Sequence, residues 1–279
     1  MLKAVTIGRS HAKALEITKF LFANGAKLSA FDRDILFFPI AHGNVELVSL
    51  LLDHGASSVA KIEGYTPPEL AIKYSHRDVY ALLLSRGGVP VNERVGSQIA
   101  LVQAASNGDI ATMKEAISAG ARINEPDVDG RTALINAVRY GVYSRREAEA
   151  IWWLLDNGAD PNIKGESGFQ GLDGIPLQIF VAMNKHPFQG VASQPEARGL
   201  AEETLVRLLR AGAKVSSIDS AGKTPLHIAA EHDNVRAAEI LIRHAARVMA
   251  RDGRGKTPLD YAESAAMIRL LKSNGATEH

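Results

Sequence analysis

A hydrophobic stretch that closes on Gly-Ala, or on a degraded copy of this pair, recurs eight times along the 279 residues. Successive pairs are 30, 32, 33, 38, 54, 33 and 30 residues apart. These spacings cluster near the period of about 33 residues that one class of helical repeats shows. Because each unit of a repeat array contacts only its neighbours, the sequence predicts an extended surface instead of one deep pocket. The pairs are Gly25-Ala26, Gly55-Ala56, Gly87-Gly88, Gly120-Ala121, Gly158-Ala159, Gly212-Ala213, Ala245-Ala246 and Gly275-Ala276.

A helix-start motif precedes most of these pairs, and its best copy is Thr224-Pro225-Leu226-His227. Threonine caps the free amides of a first helical turn, and proline is tolerated where its missing N–H costs nothing. A second helix with apolar spacing follows, as in residues 45–52, and a final glycine suits a left-handed cap. Residues 216–223 then have the composition of a tight turn. One unit is therefore helix, turn, helix and finger-like loop.

This pattern resembles the ankyrin repeat family, whose order of aspartate, glycine, Thr-Pro-Leu-His, paired alanines, a leucine pair and Gly-Ala-Asp is met almost fully by residues 219–246. The resemblance covers essentially residues 1–279. It implies an all-α repeat fold, an ankyrin solenoid of helix-turn-helix units with β-hairpin-like fingers, used mainly to bind other proteins. The expected single array has repeats at about 1–30, 31–60, 61–93, 94–126, 127–164, 165–218, 219–251 and 252–279.

Repeats five and six are longer than the others, with insertions at about 142–147 and 184–202 between their two helices. The second insertion contains Phe188 among prolines and glycines, so its composition predicts a surface loop. The finger before repeat six, residues 158–175, is also long and contains Phe169. Elaboration on a repeat scaffold often marks a contact region. Drift in tolerant loops is the alternative, and the sequence leaves both open.

Charge and composition exclude several classes of function. With a formal net charge of +1, the chain as a whole lacks the strong positive charge that favours binding to nucleic acid. The absence of cysteine removes disulfides, thiolate nucleophiles and cysteine-ligated zinc. No apolar run approaches the roughly 18 residues of a membrane helix, and the first ten residues lack a secretory signal, so no membrane insertion is expected. A cytoplasmic location is favoured, with bacterial periplasm or secretion left open.

The motifs predict no enzyme, no cofactor and no metal site. Gly222-Lys223-Thr224 and Gly255-Lys256-Thr257 resemble the end of a phosphate-binding loop, but the required earlier glycine is missing in both. The nine histidines show no zinc-peptidase spacing, and no serine lies in a nucleophile elbow. Met1 aligns with the leucine of the helix-start motif, so either the start is unusual or upstream residues are missing.

The resemblance implies a concave face lined by the residue before each helix start and by the end of each first helix. We expect this face to bind another protein, because it combines cations with tyrosines. A partner with an acidic surface is the narrower hypothesis. The alternative function is a targeting or regulatory part of a larger enzyme or secreted effector. The candidate partner-binding residues are Arg33, Tyr65, Lys73, Tyr74, Arg131, Arg139, Tyr140, Phe169, Phe188, Lys223, His232 and Lys256.

Overall fold

The computed structural model describes residues 11–28, 34–74, 76–139, 142, 144–166, 174–183 and 195–277. Its chain divides into two compact units, residues 1–100 and 101–279. The described residues contain no β-strand, and their helices form an all-helical repeat. Two isolated bridges, Ile62 to Tyr65 and Gly165 to Gly174, are the β-like pairings found in the described fingers.

The first unit is built from short helices, and local side chains cap the starts of two of them. Thr66 caps α4 and forms a reciprocal capping box with Glu69. Asn44 caps α3 through the backbone N–H of Leu47 at 3.0 Å. The apolar faces of these helices form one core, in which Leu51 is fully buried. The helices are α1 (His11–Ala23), α2 (Phe37–Ala41), α3 (Val45–Asp53), α4 (Pro67–Lys73) and α5 (Arg77–Ser85), followed by α6 (Glu93–Ser106), within which the division falls.

The second unit arranges its helices in two layers. The short first helix of repeat six, α10, packs against its counterparts α8 and α12. The second helix α11 packs against α9 and α13 in the other layer. The elements are α7 (Ile110–Ser118), α8 (Ala133–Val138), α9 (Arg145–Asp156), α10 (Pro176–Met183), α11 (Pro195–Arg210), α12 (Pro225–Glu231), α13 (Val235–Arg243), the 3₁₀ helix Pro258–Tyr261 and α14 (Ala265–Ser273).

The Gly-Ala pairs end the second helices in a left-handed turn. Gly212 has φ = 93°, and the next residue, Ala213, donates its N–H to the carbonyl of Leu208 at 3.0 Å. Ala245 occupies the same position in repeat seven with φ = 65°. Because a Cβ disfavours this conformation by about 1–2 kcal/mol, the Ala-Ala copy is a strained version of the Gly-Ala pair.

The predicted surface loop at 184–202 is wrong for its last eight residues. Residues 195–202 form the start of α11, which has 16 residues where α7 and α13 have nine. Ala197, Leu200 and Ala201 are 3%, 5% and 6% exposed, and their spacing places them on one helix face. In the shorter insertion, Arg145 to Glu147 form the capped first turn of α9. The insertions therefore extend second helices, while residues 184–194 lie outside the described part of the chain.

Candidate interaction surface

Buried carboxylates fix the shape of the fingers in the second unit. The Oδ1 atom of Asp219 accepts the backbone N–H groups of Ala221 and Lys223 at 2.9 and 2.7 Å. Asp252 repeats this turn with the N–H groups of Arg254 and Lys256, both at 2.8 Å. These carboxylates act as turn formers. They hold Lys223 and Lys256, the residues before two helix starts, in equivalent turns.

Arg131 precedes the helix start of repeat five. Its side chain forms contacts within the protein. Its Nη1 atom lies 2.9 Å from the carboxylate of Asp129, and its Nε donates to the carbonyl of Glu166 at 3.3 Å. The Arg131 side chain is 19% exposed. The finger of repeat five is thereby tied to the finger of repeat six, and most of the guanidinium is committed to this contact.

Lys223 and Lys256 converge on the ring of Tyr261. Their Nζ atoms lie 4.6 and 5.3 Å from the ring centroid, distances at which a cation is attracted to an aromatic face. Lys223 also contacts both carboxylate oxygens of Glu231 at 2.8 Å. Its side chain is 19% exposed, whereas Lys256 is exposed. Tyr261 was not among the candidates predicted from the sequence, although it is an aromatic residue four positions after the helix-start Thr257.

Tyr261 is anchored by a carboxylate at its other end. Its hydroxyl donates to the Oδ2 atom of Asp252 at 2.5 Å. This hydrogen bond, together with burial, raises the pKa of Tyr261 to about 12. The neutral phenol is thus held beside the finger by Asp252, and this hydrogen bond positions its ring for contact with the two lysines.

Arg139 and His232 each directly follow a first helix, α8 and α12, but they lie seven and eight positions after the capping residues Thr132 and Thr224. Both are half-buried. The Nη1 atom of Arg139 lies 3.4 Å from the amide oxygen of Asn136, whose nitrogen donates to the carbonyl of Val102 at 2.8 Å. Because α8 ends one residue earlier than α12 relative to its cap, Arg139 corresponds in the repeat to Glu231, the last residue of α12.

In the first unit, the prediction that Tyr65 contributes to an exposed surface is wrong. Tyr65 is 1% exposed, because it pairs with Ile62 across the finger and joins the hydrophobic core. The Nζ atom of Lys73 lies 4.0 Å from its ring centroid. Tyr74 is half-buried and packs edge-on against Phe37, with ring centroids 6.1 Å apart. Lys73 and Tyr74 thus lie beside aromatic rings, and one of these, Phe37, was not among the candidates predicted from the sequence.

Four further candidates, Arg33, Tyr140, Phe169 and Phe188, lie outside the described residues.

The two Gly-Lys-Thr tripeptides belong to helix starts. Thr224 and Thr257 are N-caps, and their hydroxyls lie 2.8 Å from His227 and 2.9 Å from Asp260. Across the described part of the chain, no group of three or more His, Cys, Asp or Glu side chains is arranged to hold a metal ion. None of the described helices combines the length and apolar character needed to cross a membrane.

Comparisons of the sequence with known proteins agree on one family. A family model for ankyrin repeats matches in three copies, at residues 7–95, 88–165 and 192–278. An L-asparaginase of Dirofilaria immitis is 33% identical over 153 residues, which are 53% of this chain and 25% of that protein. An ankyrin repeat protein of Acanthamoeba polyphaga mimivirus is 30% identical over 158 residues, 53% of this chain and 20% of that protein.

An ankyrin repeat-containing protein of Treponema pallidum is 32% identical over 132 residues, which are 46% of this chain and 42% of that protein. The chain therefore covers less than half the length of each of these curated relatives.

Proposed function

Because the chain belongs to the ankyrin repeat family, we propose that it is a non-enzymatic module that binds a partner protein through its fingers and the ends of its first helices. Proteins of this family generally mediate protein–protein interaction. Within the second unit, the proposed contact area comprises Lys223, His232, Lys256 and Tyr261, which we name the Tyr261 platform. The observation that carries the proposal is the convergence of two lysines on the anchored Tyr261 ring.

This arrangement has the physical character of an interface centre. Aromatic residues are enriched in protein interfaces, and a ring held by a hydrogen bond loses little further entropy when a partner packs on it. Lys256, which is exposed, adds a charged group over the ring. The carboxylate of Glu231, next to the platform, already engages Lys223, so both signs of charge are present there. A partner would match it by shape and by specific polar contacts.

The test is affinity capture from the native source with mass spectrometry, followed by affinity measurement on the purified partner. We expect the double variant His232→Ala, Lys256→Ala to bind at least about tenfold more weakly, since interface centres dominate binding energy. The matched control, Lys114→Ala with Arg269→Ala, removes exposed cations from second helices. Equal binding by both variants would reject the platform, and failure of the intact chain to retain any protein would reject the binding module.

Repeats five and six provide a second contact region in this proposal. They carry the two insertions and the long finger that distinguish this chain from a regular array. Shortening residues 187–193 leaves the start of α11 intact and removes the centre of the insertion. Loss of a captured partner with unchanged thermal stability is the expected result. Identical partners at equal yield would assign the insertion to drift.

The second candidate function is a targeting or regulatory part of a larger enzyme. One observation favours it: three quarters of the L-asparaginase of Dirofilaria immitis lie outside the region that this chain matches. Mass spectrometry of the intact protein from its native source tests the idea. A mass near 29.9 kDa would contradict it, whereas a much larger mass with additional sequence would support it.

A further inference from the structure

Residues 247–256, which we name the basic finger, concentrate positive charge between α13 and the 3₁₀ helix. The ten residues contain four cations, and all four are exposed. Asp252 is the single carboxylate of the segment. The formal charge is therefore +3. The cations are Arg247, Arg251, Arg254 and Lys256.

The carboxylate of Asp252 is turned into the protein. The residue is 8% exposed, and its Oδ1 atom accepts two backbone N–H groups of the finger while its Oδ2 atom accepts the hydroxyl of Tyr261. Its hydrogen-bonding capacity is thus used in shaping the turn. The guanidinium groups remain positively charged at the surface of the finger.

Equivalent fingers in the same unit are not charged in this way. Residues 122–131 have a formal charge of −1, and their two arginines pair with carboxylates of the same segment. Residues 214–223 have a charge of +1, and Lys223 pairs with Glu231. The ion pairs formed among described residues involve neither Arg247 nor Arg254. The basic finger is therefore an individual feature of its repeat.

The basic finger is also held in place. Gly253 donates its N–H to the carbonyl of Ala221 in the preceding finger at 2.9 Å. The guanidinium of Arg251 donates to the carbonyl of Gly255 at 2.7 Å, which closes the loop on itself. Met249 is 37% exposed in the same segment and adds an apolar contact surface. A rigid loop pays less ordering entropy when it binds, which favours recognition by a fixed group of charges.

We propose that the basic finger binds an acidic segment of the partner protein, with Arg247 and Arg254 pairing with its carboxylates and Met249 contacting an apolar side chain. This inference rests on the proposed function and names the chemistry of the partner. A protein segment is favoured over nucleic acid because residues 101–279 contain 21 Lys and Arg against 22 Asp and Glu, a formal charge of −1. A nucleic acid strand carries a phosphate charge at every nucleotide. Beyond the finger, these charges would meet a unit that has no excess of positive charge.

The experiment uses the full chain and an array of immobilised peptides with graded net charge and equal apolar content. Acidic peptides retained by the array are then measured by fluorescence anisotropy at about 0.05 and 0.2 M salt. We expect the variant Arg247→Glu, Arg254→Glu to bind them about tenfold more weakly, in line with two exposed charge pairs replaced by repulsion. The intact chain should lose affinity as salt rises.

The matched control is Lys114→Glu with Arg269→Glu, which changes the net charge equally on exposed helix positions. It should retain the intact chain's affinity. The neutral variant Arg247→Gln, Arg254→Gln should give an intermediate loss, and thermal unfolding should show that all variants fold.

Three results would overturn the inference. The intact chain could retain acidic and basic peptides equally, the reversed variant could bind as tightly as the control, or a thymidine dodecamer could bind more tightly than every acidic peptide. The proposed function has a separate readout. If the finger variant still captures the native protein partner while the Tyr261-platform variant does not, the binding module stands and the basic finger does not contribute to it.

Discussion

The Nε2 atom of His227 lies 3.1 Å from the carbonyl oxygen of Lys256, so a side chain of α12 reaches the finger of the next repeat. The Nδ1 atom of the same ring accepts the backbone N–H of Thr224 at 3.1 Å. Because Nδ1 accepts, the proton of the neutral imidazole is on Nε2 and is donated to Lys256. His227 is fully buried, and this tautomer satisfies both ring nitrogens.

His227 makes stability depend on pH. Burial lowers its pKa in the folded chain below the unfolded value of about 6.5. As pH falls below about 6.5, the unfolded chain takes up a proton first, so the contribution is complete above that pH and declines as pH approaches the folded pKa. We predict a smaller pH dependence of the free energy of unfolding for His227→Gln. Urea unfolding at about pH 8 and 5.5 measures it, and an unchanged slope would contradict the prediction.

Gln178 explains why glutamine is the suitable replacement. It occupies the histidine position of repeat six, is fully buried, and donates its Nε2 protons to the carbonyls of Ser217 and Lys223 at 3.1 and 3.2 Å. We predict that Gln178→Leu lowers the free energy of unfolding by about 1–3 kcal/mol, because two partly buried carbonyls lose a donor. Gln178→His should retain the link to Lys223. Equal loss in both variants would mean that the hydrogen bonds do not determine the effect.

Local signals in the sequence predicted the repeat, and non-local packing determined the rest. The Gly-Ala and Thr-Pro-Leu-His patterns specify a helix end and a helix start, so the array and its register followed from them. The direction of a finger side chain depends on neighbouring elements, and for this reason Tyr65 was predicted to bind a partner although it lies in the core. The Tyr261 platform depends on Lys223, which is 38 positions earlier, and no single repeat contains that relationship.

Leu200 tests the corrected structure of the larger insertion. Proline and glycine around residues 184–202 indicated a loop, but proline is accepted at the first helical position, and Leu200 is only 5% exposed. We predict that Leu200→Ala lowers the free energy of unfolding by about 2–5 kcal/mol, as expected for a buried leucine. Glu196→Ala, at an exposed residue in the first turn of the same helix, is the control and should change stability little. A neutral Leu200→Ala would restore the loop interpretation.

The contact between Trp152 and Thr204 joins α9 to the extended helix α11. The indole Nε1 donates to the hydroxyl of Thr204 at 2.8 Å, and that hydroxyl donates to the carbonyl of Leu200 at 2.7 Å. The guanidinium of Arg207 lies 4.3 Å from the indole ring centroid. We predict that Thr204→Val costs about 1–3 kcal/mol of unfolding free energy, because the indole N–H loses its acceptor.

Thr204→Ser keeps the hydroxyl and is the matched control for this contact. Tryptophan fluorescence during urea unfolding reports both variants, since Trp152 and Trp153 are the protein's two tryptophans. The serine variant should remain closer in stability to the unmodified chain than the valine variant does. A larger loss for serine than for valine would show that packing of the methyl group, and not the hydrogen bond, dominates.

Tyr261 and Asp252 give the last prediction. Burial pushes the pKa of Asp252 upward, but hydrogen bonds from the Tyr261 hydroxyl and from the backbone N–H groups of Lys256 and Arg254 outweigh it and hold the pKa below its usual value. A depressed folded pKa stabilises the protein above the unfolded value of about 3.9, and this contribution is lost as pH falls through the folded pKa.

Tyr261→Phe should therefore reduce the free energy of unfolding by about 1.5–3 kcal/mol near neutral pH, the range for a hydrogen bond to a charged group. The difference from the unmodified chain should shrink in acid, because protonated Asp252 accepts more weakly. Urea unfolding at neutral and acidic pH measures both effects. Absorbance of tyrosinate supplies an independent check: the component that titrates at about 12 in the unmodified chain should disappear in Tyr261→Phe, and its persistence would assign that pKa to another tyrosine.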